Sequence, residues 1–163
     1  MVTPTEIGVH VTDSYVTVAA QVIWLTNGKN APVSFVLDTG AEITSLSEVD
    51  VERMGIGLNE LPHSRMAVRG VGGRPSQVFE IDNTILMFPC GQGKAYEYDA
   101  GVIQVLQNPE LKDDRRTKGR FRQVKHDDFK MPSLLGIDFF RATRATLIID
   151  FAAKSGKIVT QDL

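Results

Sequence analysis

The sequence predicts an all-β domain. Two observations lead there: short runs rich in Val, Ile, Thr and aromatic residues recur along the chain, and turn signals separate them. Only brief stretches read as helix, one or two in all, and no internal repeat or low-complexity tract breaks the pattern.

Residues 1–13 form a polar arm with some strand character. Residues 14–26, SYVTVAAQVIWLT, are a strand by composition. Asn27-Gly28 follows as a turn, because both residue types tolerate positive φ. Residues 32–37, PVSFVL, return as the second strand of that hairpin and run directly into Asp38-Thr39-Gly40. A short apolar stretch from Ile43 to Leu46 comes next. Ser47-Glu48-Val49-Asp50 reads as a helix start, since a Ser oxygen can accept from the third backbone N–H and early acids suit the positive helix end. Gly55 and Gly57 then stop that helix. Residues 65–81 predict a long hairpin around the glycine cluster Gly70-Val71-Gly72-Gly73. Thr84–Phe88 and Gly101–Leu106 read as further strands. The segment 108–130 is densely charged and long for a connection inside a compact domain, so it reads as an insertion. The apolar runs SLLGIDFF, TLIIDF and KIVT close the sequence.

With 163 residues, the expectation is a single domain spanning 1–163. Hydrophobic residues make up 42%, enough for a core and too many for a disordered chain. A net charge of −2 provides no global field for nucleic acid or acidic membranes. Cys90 is the single cysteine, which rules out an intrachain disulfide framework. The first residues, MVTPTEIGVHVTDSY, lack a basic segment followed by an apolar one, and no run reaches bilayer length. The chain is therefore expected to be soluble and cytoplasmic, with no membrane partner.

The chemistry concentrates at Phe35-Val36-Leu37-Asp38-Thr39-Gly40-Ala41-Glu42. An apolar strand delivers a carboxylate at its end, and burying a carboxylate needs a reason. Gly40 lets the backbone turn sharply and lets a ligand or second chain come close. Leu37-Asp38-Thr39-Gly40-Ala41 resembles the catalytic loop of aspartic proteases. Gly70-Val71-Gly72-Gly73 resembles the flap tip of the retroviral branch, the retropepsins. Leu134-Leu135-Gly136 resembles the paired aliphatic residues and glycine that brace the catalytic loop before a short C-terminal helix.

That resemblance implies a retropepsin-like, single-lobe acid-protease β-barrel, with two lobes assembled by homodimerisation. It implies an aspartic endopeptidase in which Asp38 of each copy activates one water, with peptide or protein substrates and no cofactor. Thr39 and Gly40 would support the catalytic loop, Ala41 and Glu42 would bind substrate, and Gly70, Val71, Gly72 and Gly73 would form the flap. Leu134, Leu135 and Gly136 would brace the loop. A catalytically silent dimerisation or peptide-binding module of the same fold is the alternative. Asp99-Ala100-Gly101 shares the Asp-x-Gly outline, but Glu97-Tyr98 precedes it instead of a buried apolar strand.

Plainer readings stand beside these. Asp38 could be a turn residue, Gly70–Gly73 an ordinary hairpin tip, and Cys90 a small core residue. His10, His63 and His126 lack metal-ligand spacing, so no metal is expected. The basic run Arg115, Arg116, Lys118, Arg120, Arg122 and Lys125 is offset by Glu110, Asp113 and Asp114 and reads as a solvated loop, so nucleic acid is not expected.

Overall fold

The computed structural model describes residues 4–65, 77–108 and 130–161. The strands are β1 (Thr5–Val11), β2 (Val16–Trp24), β3 (Lys29–Leu37), β4 (Ser45–Ser47), β5 (Val78–Cys90), β6 (Lys94–Leu106), β7 (Leu134–Leu135), β8 (Thr146–Asp150) and β9 (Ser155–Thr160). Two short helices, α1 (Glu48–Arg53) and α2 (Ile137–Ala142), and one 3₁₀ turn at Leu58–Glu60 complete the described elements. The chain is mostly β, as the sequence predicts.

The β2–β3 hairpin forms around Asn27-Gly28. Gly28 takes φ +71°, and the Asn27 side chain accepts from the Lys29 N–H at 2.9 Å. Alternate residues on both strands point inward: Val16, Val18, Ala20 and Val22 on β2, and Ala31, Val33 and Phe35 on β3, are all buried. Covering a side chain as large as Phe35 contributes roughly 1.5–3 kcal/mol. Pairing then runs β3-β7-β4-β6-β5-β2, and β2 also pairs with β3, which closes a six-stranded barrel. Phe88, Phe139, Leu46, Ile81, Ile103 and Leu135 fill it.

The helix expected at Ser47 forms: the Ser47 hydroxyl accepts from the Asp50 N–H at 3.2 Å, and Gly55 at φ +74° follows the helix end. Two other expectations need correction. Thr84–Phe88 and Gly101–Leu106 are parts of longer strands, which pair as one hairpin from Val78↔Leu106 to Cys90↔Lys94. Its register shifts on both sides of Thr84, where Asn83 (φ 46°) and Gly101 (φ 62°) are left-handed. Such bulges bend strands enough to help a sheet close on itself. The N-terminal arm is also a true strand. β1 pairs with β9 from Thr5↔Thr160 to His10↔Ser155, and β8 pairs with the far side of β9. Strands β1, β9 and β8 thus form a wing extending from β2, outside the barrel. Gly156 permits the tight packing there, because a Cβ on it would lie 2.7 Å from the Ile148 carbonyl oxygen and 2.8 Å from Val9 Cγ2.

The glycine cluster at 70–73, most of the 65–81 hairpin and residues 109–129 of the charged segment lie outside the described residues. No described helix is long and apolar enough to cross a membrane.

Candidate active site

Asp38 is the first residue beyond β3, where the barrel wall ends in a loop covering residues 38–44. β7 holds the last two residues of β3 in parallel register, Val36↔Leu134 and Leu37↔Leu135. The ladder continues into the loop: Asp38 N–H donates to the Leu135 carbonyl at 3.2 Å, and Ile137 N–H donates to the Ala41 carbonyl at 2.9 Å. Within the loop, Ala41 N–H donates to the Asp38 carbonyl at 3.0 Å. The Gly40 N–H donates to Asp38 Oδ1 at 2.8 Å, which fixes the carboxylate's rotation. Asp38 Oδ2 has no donor among the described residues.

Gly136 lies against this loop. A Cβ on it would sit 2.6 Å from the Ile43 carbonyl carbon and 2.8 Å from the Thr44 nitrogen, so only glycine lets the two backbones touch. Leu135 is fully buried and anchors the brace in the core. Asp138 closes the far side. Its two oxygens accept from the Thr44 N–H at 2.9 Å and the Thr44 hydroxyl at 2.7 Å, and Oδ1 also accepts from its neighbour's N–H, on Phe139, at 2.8 Å. Thr44 Oγ1 in turn accepts from the Gly136 N–H at 3.1 Å. A second carboxylate, Asp50, ties α1 to the approach of β7, accepting from Ser133 Oγ at 2.6 Å, while Ser133 Oγ accepts from the Ser47 N–H at 2.8 Å.

The surroundings of Asp38 differ from expectation in one respect. The carboxylate is half-buried in the single chain, because the loop projects past the end of β3, and Thr39, Gly40 and Glu42 are exposed. Asp99 repeats the local geometry, accepting from the Gly101 N–H at 2.9 Å, yet it is exposed on a β6 bulge with no brace behind it.

The aspartyl protease family profile matches residues 18–85, a span that contains this loop. A retropepsin-like aspartic protease from Rickettsia conorii shares the fold: at 17% identity the two align over 98% of this chain and 94% of that one, with a TM-score of 0.56. The chain has a retropepsin-like fold. The EIAV protease complexed with the inhibitor HBY-793 aligns at 18% identity over 84% of this chain and 95% of its own, with a TM-score of 0.46. The retroviral protease-like domain of Ddi1 from Leishmania major aligns at 15% identity over 90% of each chain, with a TM-score of 0.44. No curated protein matches the chain.

This fold brings Asp38, Thr39, Gly40, Ala41 and Glu42 together with Leu134, Leu135 and Gly136. The residues that sequence reasoning missed are Thr44 and Asp138. The signal available was the acid two places after Gly136, in the first turn of a helix, where a carboxylate has backbone N–H groups to accept from.

Proposed function

We propose that this retropepsin-like chain is an aspartic endopeptidase acting as a homodimer, with Asp38 from each copy around one water. The observation that carries the reading is Asp38 itself. Its Oδ1 is held by the Gly40 N–H at 2.8 Å on a loop hydrogen-bonded to β7 and α2, while its Oδ2 has no donor among the described residues. Amide hydrolysis by this route needs two such carboxylates, and the described residues hold one. The exposed face of Thr39 and Gly40 is where a second copy would meet the first.

Two carboxylates brought within ~4 Å repel by about 4 kcal/mol at an effective dielectric of ~20, so they share one proton. The ionised member takes a proton from the water, and the protonated member donates to the substrate carbonyl. The hydroxide equivalent adds to the carbonyl carbon. Collapse of the tetrahedral intermediate then breaks the C–N bond as the amine leaves with a proton. Thr39 would bond across the two-fold axis, Ala41 and Glu42 would line the cleft, and Glu42 would accept from a substrate N–H. Residues 70–73 would cover an extended peptide bound as an added strand.

The test is cleavage of an unfolded protein at mildly acidic pH by wild type and Asp38→Asn. The expected loss is about 100-fold or more, since both general-acid and general-base roles go. Circular dichroism should be unchanged, because Asn keeps the oxygen that accepts from Gly40. Equal cleavage by the two proteins would sink the mechanism. A folded wild-type dimer with no cleavage at any acidic pH would leave the silent module.

A further inference from the structure

Five neighbouring strands of the barrel wall, β3, β7, β4, β6 and β5, carry one row of side chains across the wall. The register runs Val36↔Leu134, Leu134↔Ser45, Ser45↔Gln104 and Gln104↔Glu80. Paired residues point to the same face of a sheet, and the next residue along each strand points to the other. The next row, Leu135, Leu46, Val105 and Phe79, is buried in the barrel core. The row through Ser45 therefore faces out of the barrel. It begins beside the catalytic loop, because Val36 lies two residues before Asp38. Val36, Leu134 and Glu80 are half-buried.

Ser45 and Gln104 differ from the rest of the row. They are 3% and 4% exposed, and neither Ser45 Oγ nor Gln104 Nε2 has a hydrogen-bond partner among the described residues. Buried polar groups nearly always have partners, because losing water without replacing it costs stability. The neighbouring buried hydroxyls obey that rule: Thr44 donates to Asp138, and Ser47 and Ser133 donate to Asp50. The two unsatisfied groups sit side by side, on strands about 4.8 Å apart. Gln104 Nε2 only donates, whereas Ser45 Oγ donates and accepts. A carboxamide complements both: its oxygen accepts from Gln104, and its N–H donates to Ser45. A carboxylate would meet the like charge of Glu80, next in the row. A cationic side chain has no acceptor for Gln104, and an aliphatic one leaves both groups unpaired.

We infer that Ser45 and Gln104 form a subsite that selects an asparagine or glutamine side chain of the peptide. The inference rests on the peptidase reading above and names a feature of the substrate. Ser45 lies two strand spacings from Val36 along the row, roughly 10 Å. The selected residue therefore stands a few places from the cleaved bond, and always the same number of places. A site built to hydrogen-bond a polar group rejects the analogue lacking it, because its own buried groups are then left unpaired.

Cleavage of a random peptide library, read by sequencing the products, tests it. Wild type should favour Asn and Gln over Leu and Met at one position, by about tenfold or more in kcat/KM. Gln104→Met keeps the side-chain length and removes the donor, so that preference should fall below about twofold. Ser45→Ala should lower it in the same direction. Neither variant should melt measurably below wild type, since each removes an unsatisfied polar group. If no position favours Asn or Gln, as when the two groups hold only water, the subsite is overturned and the peptidase reading stands. A preference that both variants keep overturns it as well. Asp38→Asn protein gives a readout without chemistry: from the same library it should retain peptides carrying Asn or Gln, and lose that selection when Gln104→Met is added. If wild type cleaves nothing yet Asp38→Asn shows this selection, the peptidase reading fails and the subsite stands. If Asp38→Asn retains no peptide either, both fail.

Discussion

Asp138 shows how one side chain fixes a loop far away in sequence. Its carboxylate accepts from Thr44 twice and from Phe139 once, and Thr44 is almost fully buried. Asp138→Ala leaves the Thr44 donors without partners, at an expected cost of about 3 kcal/mol read from the urea midpoint. Asp138→Asn keeps one acceptor and should lose less; equal losses would argue against the hydrogen bonds as the cause. Tyr98 carries a second residue-scale prediction. Burial first, then the charge of Asp138 and the neighbouring Tyr96 and Asp99, push its hydroxyl above the ordinary value of 10.0. The folded chain then holds that proton more tightly than the unfolded chain does. The stability from neutral Tyr98 is complete below about pH 10 and is lost as pH rises through the folded value. Tyr98→Phe should therefore lose less stability than wild type between about pH 8 and pH 11, and identical losses would refute it. Asp38 was legible from sequence because its glycine partner is two residues away. Thr44 and Asp138 were not, because 94 residues separate them and no local pattern records the bond.

Among the elements, legibility followed the turns. Asn27-Gly28 announced the β2–β3 hairpin, and Ser47 announced α1. The β5–β6 hairpin was read in fragments, because its turn, Gly91-Gln92-Gly93, is flanked on β6 by charges alternating with Tyr96, Tyr98 and Ala100. That alternation is a period-two strand signal, obscured by the bulges. The ends of the charged segment show where an element can be exchanged. Asn108 N–H donates to Glu48 at 3.0 Å, and the Asn108 side chain accepts from the Met131 N–H at 2.8 Å. The chain therefore leaves and re-enters the fold at one tied point. Replacing residues 109–129 with a Gly/Ser linker of about six residues should preserve the fold and add up to about 1 kcal/mol through a shorter loop closure. Thermal unfolding measures it, and a chain that no longer folds would show that the replaced residues hold structure together.

At the scale of the molecule, the all-β class followed from composition and turn signals, and the barrel from the family resemblance that the motifs carry. The wing did not, because the pairing of Thr5 with Thr160 joins opposite ends of the sequence and neither strand carries a local mark of its partner. Contacts of such separation form slowly, since the intervening chain must first be ordered. They also impose a sequence in time. During synthesis β8 emerges before β9, yet it reaches the sheet only through β9, which must itself find β1. The nascent chain can close much of its barrel while β9 is still unmade, but β1 and β8 then lack the strand that joins them.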